Sequence, residues 1–125
     1  MDDGAVSVLV VDDQAPFRAA ARLVVRATNG FKVVGEARSG EEALDAVANL
    51  NPELVLMDIN MEGIGGIEAS RRIHQEHPAT RVILLSTYDE DDLPGDARTC
   101  GAIAYIHKER FGPDVLQETW GTAAD

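Results

Sequence analysis

Pro52 to Glu68 reads PELVLMDINMEGIGGIE, and the fold turns on how that stretch is read. Leu54-Val55-Leu56-Met57 is a short unbroken apolar run, the pattern of a strand buried on both faces. It begins after the break at Asn51-Pro52 and ends on a carboxylate, Asp58. Asn60 to Gly66 follows as a glycine-rich loop, and Ile67 to Glu76 has helical composition until His77-Pro78 closes it. Strand, polar strand end, loop and helix make one βα unit.

The same unit recurs on either side. Val6 to Val11 is a β-branched run ending in Asp12-Asp13. Ala15 to Ala27 follows, with Phe17, Ala20, Ala21, Val24 and Val25 spaced to form one apolar helix face, stopped by Asn29-Gly30. Phe31 to Ala37 reads as a second strand with Gly35 inside it. Ser39 is placed to cap a helix from Glu41 to Leu50, with Glu42 as its capping-box partner. Val82 to Leu85 is a fourth strand ending in Ser86-Thr87, and Tyr88 to Asp92 is an acidic loop. A weak helix then leads to Gly101. Ala102 to Ile106 is the fifth strand, with Lys108 just past it, and Pro113 opens a last helix that Gly121 is expected to end. Such alternation specifies a parallel sheet with helices on both faces.

The rest of the composition narrows the function. A chain of 125 residues, 45% hydrophobic and 26% charged, is one globular domain with a core of its own, and only its two ends are expected to be disordered. The net charge of −11 repels nucleic acid and anionic membrane, and the basic residues form no run. Direct DNA binding by the chain is therefore not expected. Cys100 is the sole cysteine, which excludes an internal disulfide, and no Cys/His cluster has zinc spacing. The acidic start Met1-Asp2-Asp3-Gly4 lacks signal-peptide character, and the apolar runs are too short to span a bilayer, so a cytoplasmic location is expected.

Asp12, Asp13, Asp58, Ser86, Thr87 and Lys108 all fall just past the carboxyl ends of strands, where an open α/β sheet places its ligand site. They converge although they are scattered along the chain. Two unit charges about 4 Å apart interact by roughly 4 kcal/mol at an effective dielectric near 20. Three carboxylates together therefore call for a cation, and their hard oxygen donors suit Mg²⁺ with retained waters. Mg²⁺ and Lys108 would offset the charge of an incoming phosphoryl group, and a carboxylate can serve as its acceptor. Taken singly, each residue has a plainer reading. Asp12 could merely cap a helix, Ser86-Thr87 could be a turn, Tyr105 core and Cys100 a small buried hydrophobe. His74, His77 and His107 read as surface or loop residues.

In combination, VLVVDDQAPFRAA, PELVLMDINMEGIGGIE, VILLSTYDEDD and GAIAYIHKE resemble the receiver domain of bacterial response regulators across nearly the whole chain. They are most similar to receivers that precede a helix-turn-helix DNA-binding domain. The resemblance implies a doubly wound (βα)5 flavodoxin-like domain over residues 1–125, ordered from about 5 to 120, with a five-stranded parallel sheet in order 2-1-3-4-5. It implies phosphorylation of Asp58 by a histidine kinase's phosphohistidine, or by a small phosphodonor. Mg²⁺ or Mn²⁺ would be held by Asp12, Asp13, Asp58 and Asn60, with Asp13 a direct ligand, Asp12 acting through water and Asn60 offering its backbone carbonyl. Lys108 would pair with a phosphoryl oxygen, Ser86 would swing toward it, and Tyr105 would change rotamer with Ser86. The signal would leave through the surface of the fourth helix, fifth strand and fifth helix, toward an unknown downstream protein or a second copy in a phosphorylation-dependent homodimer.

Three departures qualify the resemblance. Glu62 stands where the family usually has proline, and so adds charge and frees the loop. Glu109 stands where proline often follows the lysine. Leu93-Pro94-Gly95 falls at the start of the fourth helix, which should begin late or be short, since an interior glycine costs about 1 kcal/mol relative to alanine. The chain stops after the fifth helix, and a single-domain receiver is expected over a piece of a longer regulator. Among other functions, a haloacid-dehalogenase-type phosphatase would need Asp-x-Asp where Asp58-Ile59-Asn60 stands. A phosphorylation-independent interaction module is argued against by the intact acidic set and Lys108.

Overall fold

The computed structural model describes residues 4–124; Met1-Asp2-Asp3 of the acidic start and Asp125 of the tail lie outside them. Five strands, β1 (Val6–Val11), β2 (Phe31–Ala37), β3 (Leu54–Asp58), β4 (Arg81–Ser86) and β5 (Ala104–His107), form one sheet in the order β2-β1-β3-β4-β5. Every pairing is parallel. Four helices, α1 (Ala15–Ala27), α2 (Gly40–Leu50), α3 (Gly65–Glu76) and α4 (Pro113–Ala124), cover its two faces. Among the described residues no helix is long and apolar enough to cross a membrane.

Side chains alternate across each strand, so each central strand feeds two cores. Leu9, Val11, Val55, Met57, Val82 and Leu84 pack under α2 and α3, against Ala43, Val47, Ala69 and Ile73. Val8, Val10, Leu54, Leu56, Ile83 and Leu85 pack under α1 and α4, against Ala21, Val25 and Leu116. Burial on both sides is why β3 reads as a continuous apolar run: all its residues are buried. At the other end of the molecule Trp120 ties α4 to the sheet. Its ring meets Phe31 edge-on at 6.2 Å and carries the Arg81 guanidinium 5.1 Å from its centroid.

The local signals act largely as the residues suggest. Ser39 Oγ accepts the Glu42 N–H at 3.1 Å, while the Glu42 carboxylate reaches back to the Arg38 N–H rather than to Ser39 itself. Gly35 stands at a bulge where β1 pairing skips from Val33 to Gly35, and a Cβ there would lie 2.7 Å from the Leu50 side chain. β5 starts later than expected, at Ala104, and α3 earlier, at Gly65. Gly121 does not end the last helix. It adopts no left-handed φ, so it weakens α4 without turning the chain out of it.

The fourth crossover departs furthest from expectation. No α-helix forms between β4 and β5; two 3-10 turns, Glu90–Asp92 and Gly95–Arg98, take its place. Pro94 is extended (φ −55°, ψ 141°), Gly95 after it has no side chain to pack, and the acidic residues before it supply no apolar face. Ala97 and Cys100 still anchor the segment in the core beneath α2 and α3, with Leu93 packed beside them.

One close approach holds the site end together. α3 starts so near β3 that a Cβ on Gly66 would overlap the Asp58 carbonyl oxygen and sit 2.8 Å from the carbonyl carbon, and the Gly66 N–H donates to Ile59 O at 3.1 Å. Gly66→Ala should therefore destabilise the fold by more than about 3 kcal/mol, because backbone rather than a mobile side chain blocks the added methyl. Urea unfolding would measure it, and a loss below about 1 kcal/mol would mean that α3 can move away from β3 at little cost.

Candidate functional site

Asp12 follows the last residue of β1, and its N–H still pairs with Ala37 O at 3.1 Å. Its side chain is fully buried and does two things at once. Oδ1 accepts the Gln14 N–H at 2.8 Å and so shapes the turn into α1, while Oδ2 accepts the Lys108 ammonium at 2.8 Å. The helix-capping reading of Asp12 does not hold, since Gln14 is the N-cap of α1 and no side chain caps it; one Asp12 oxygen instead shapes the turn before the helix and the other faces the lysine. The turn is braced from outside by Arg18, whose Nη1 donates to the Asp12 carbonyl at 2.7 Å and whose Nε lies 3.7 Å from Glu36.

Asp58 ends β3 and is 4% exposed. Its Oδ1 lies 3.3 Å from Lys108 Nζ and accepts the Asn60 N–H at 3.4 Å. Asp13 stands exposed beside this pair. One oxygen from each of Asp12, Asp13 and Asp58 lies within 4.8 Å of the others. The Lys108 ammonium also sits over the Phe17 ring, 4.3 Å from its centroid. Three carboxylates against one ammonium leave two negative charges unmatched. The surplus, the all-oxygen donor set and the open side at Asp13 fit a hard divalent cation that keeps part of its water shell.

Ser86 ends β4, 2% exposed, and its hydroxyl is turned to the next loop: Oγ accepts the Tyr88 N–H at 3.2 Å. The Tyr88 hydroxyl donates to Asn60 Oδ1 at 3.3 Å, a bridge between the two loops that flank Asp58. Tyr105, from β5, is half-buried against the α2–α3 core, and its hydroxyl meets the Arg98 guanidinium of the fourth crossover. A cleft of about 400 Å³ opens among Ser86, Tyr88, Leu93, Tyr105, His107 and Arg110.

Of the seven site residues expected from the sequence, Asp12, Asp13, Asp58, Asn60, Ser86 and Lys108 lie at or just past the carboxyl ends of strands, whereas Tyr105 sits inside β5, opposite Leu84, and reaches Arg98 rather than the acidic cluster. Glu62 is exposed at the rim, outside the acidic cluster. The loop it occupies is held without a proline, by left-handed Gly63 (φ +83°) packed against the Glu41 carboxylate and by the approach at Gly66. Sequence reading missed Arg18, Tyr88, Arg98 and His107. Their partners are backbone atoms or distant side chains, so spacing carries no trace of them.

Residues 8–120 match the family model of the response regulator receiver domain. The chain is 40% identical over 112 residues to the response regulator GacA of Pseudomonas viridiflava, covering 90% of this chain and 52% of that protein. It is 39% identical over 111 residues to the response regulator UvrY of Escherichia coli K12, covering 89% and 51%. It thus spans about half the length of these relatives. Among solved structures, the signal receiver domain of the putative response regulator NarL from Mycobacterium tuberculosis has a TM-score of 0.86 at 28% identity, covering 96% of this chain and 97% of that one. The response regulator domain of Thermotoga maritima CheB has a TM-score of 0.85 at 30% identity, covering 97% and 98%.

Burial makes ionised Asp58 costly, and the Asp12 charge adds to that cost; Lys108 and the Asn60 N–H offset only part of it, so its pKa rises from 3.8 to about 6. The rise corresponds to roughly 3 kcal/mol between its two protonation states. A carboxyl raised in the folded state costs nothing below its ordinary value, costs more as pH climbs through the window from 3.8 to about 6, and carries the full penalty above it. Asp58→Asn should therefore be more stable than the parent at pH 8 in EDTA, by an amount of that order. The advantage should shrink toward pH 4.5. Urea unfolding at the two pH values tests this, and a gap that does not change with pH would contradict the assigned cause.

Proposed function

The chain belongs to the response regulator receiver domain family, and on that premise we propose that Asp58 is the phosphoacceptor of a two-component phosphorelay. The observation that carries the reading is the single Lys108 ammonium shared between buried Asp12 and Asp58, at 2.8 and 3.3 Å, with Asp13 open beside them. An Asp58 carboxylate oxygen would attack the phosphorus of a histidine kinase's phosphohistidine. The P–N bond breaks, a P–O bond forms, and the electron pair of the P–N bond stays on the departing imidazole, which takes a proton from solvent and leaves neutral. A Mg²⁺ or Mn²⁺ ion held by Asp13, Asp58 and the Asn60 carbonyl, with Asp12 behind a water, would supply the positive charge that this transfer needs.

Lys108 would exchange an Asp58 oxygen for a phosphoryl oxygen as the transfer proceeds. Ser86 would leave the Tyr88 N–H and turn inward, and Tyr105 would give up its place beside Arg98. Both bonds they release are to the fourth crossover or the loop leading into it. That crossover, built of short 3-10 turns, is an element with little regular structure to lose, which suits a two-state switch. The proposed output face is therefore the fourth crossover with β5 and α4, toward a downstream protein or a second copy of the chain. A phosphorylation-independent module would leave the Lys108–Asp12–Asp58 arrangement without a use.

With acetyl phosphate and Mg²⁺, the parent chain should gain the mass of one phosphoryl group, Asp58→Asn should gain none, and Asp13→Ala should bind Mg²⁺ far more weakly by calorimetry. Labelling of Asp58→Asn equal to the parent would sink the assignment. For the output face, hydrogen exchange should be fastest, among the described residues, from Tyr88 to Cys100, and should change most there on phosphorylation. Protection equal to that of α3, unchanged by phosphorylation, would place the output elsewhere.

A further inference from the structure

Resting on that reading of Asp58, we propose that His107 is a positioning residue for Lys108. The ladder between β4 and β5 ends at Ser86 opposite His107, so Lys108 is the first residue past the sheet. Its backbone is held there by the Phe111 N–H, which donates to Lys108 O at 3.4 Å, and by the imidazole one residue before it. His107 Nδ1 accepts the Glu109 N–H at 3.1 Å and so caps the 3-10 turn Lys108–Arg110 that carries the lysine. His107 Nε2 lies 3.1 Å from the Thr87 carbonyl oxygen. An Nδ1 that accepts leaves the proton on Nε2, which donates to Thr87. One ring thus joins the end of β4, next to Ser86, to the turn that launches Lys108.

Lys108 needs such a foundation. Its stem has four rotatable carbons, and its ammonium must sit within bonding distance of Asp12 and Asp58 together. Phe17 steers the ammonium end, and the cap fixes the backbone end. Glu109 supplies the N–H that the ring takes; a proline there would have none to give. A shift of the turn would pull the ammonium off its shared point and weaken the group proposed to meet the phosphoryl oxygen.

The test is a double-mutant cycle read by intact-mass kinetics of acetyl phosphate labelling in Mg²⁺. His107→Ala should slow labelling roughly three- to tenfold, the scale of one lost hydrogen bond, while the far-ultraviolet circular dichroism spectrum is retained. His107→Asn, whose short side chain can still accept an N–H two residues on but cannot span to Thr87, should recover most of that rate. In a Lys108→Ala background, His107→Ala should cost nothing further, because the group it positions is gone. A parental rate in His107→Ala, a loss in His107→Asn as large as in His107→Ala, or the same fold-loss with and without Lys108 would each overturn the inference and leave Asp58 as the acceptor. Failure of the parent chain to label at all would overturn the phosphoacceptor reading, and this inference with it.

Discussion

Everything at the carboxyl end of the sheet is arranged around a surplus of negative charge that the protein does not neutralise by itself. Asp12 and Asp58 are buried, Asp13 stands beside them, and Lys108 is the one ammonium among them. Burial magnifies each interaction, so the arrangement persists only because the sheet and helices around it are stable without it. Burial first, and the Asp12 charge second, raise the pKa of Asp58 to about 6. A group strained in that way is poised to gain from any positive charge brought beside it, or from conversion into something else.

Rigidity and looseness are divided along the same surface. On the Asp58 side, Gly66 allows α3 to start in contact with the Asp58 carbonyl, and Glu41 packs against left-handed Gly63, so the loop carrying Asn60 and Glu62 is tied down at both ends. On the Ser86 side, the crossover to β5 has no α-helix and is anchored chiefly by Ala97 and Cys100. Tyr88 spans the divide through its bond to Asn60. The carboxylates thus sit beside regular, closely packed structure, while the neighbouring segment is built of short 3-10 turns.

Four of the site residues read in advance, Asp12, Asp13, Asp58 and Ser86, share one property: each stands where an apolar run stops. Asp58 ends Leu54 to Met57, Asp12-Asp13 ends Val6 to Val11, and Ser86 ends Val82 to Leu85. In a parallel sheet such interruptions fall at one edge of the molecule, so chain position translates into spatial position. Nothing comparable marks Arg18, whose partner at the site is the Asp12 carbonyl, or His107, whose partners are the Thr87 carbonyl and the Glu109 N–H. Any residue offers those backbone groups, so the pairing has no signature in residue types. The fourth crossover shows the opposite limit. Pro94-Gly95 warned of a poor helix, but whether a short helix or two 3-10 turns would form depended on how Ala97 and Cys100 dock on the core.

By itself, then, the sequence determined the alternating architecture, the two-sided burial of β3, and the membership of the acidic cluster with Lys108. All of these follow from hydrophobic periodicity and from where it stops, which are local quantities. Only the tertiary structure decided which oxygen of Asp12 turns to the Gln14 N–H and which to the lysine, that the Ser86 hydroxyl rests against the Tyr88 N–H, and that the Tyr105 hydroxyl meets Arg98. Those choices depend on distances between segments as much as 96 residues apart, as Lys108 is from Asp12. Such distances exist only once both helical layers have closed on the sheet and set its strands in register.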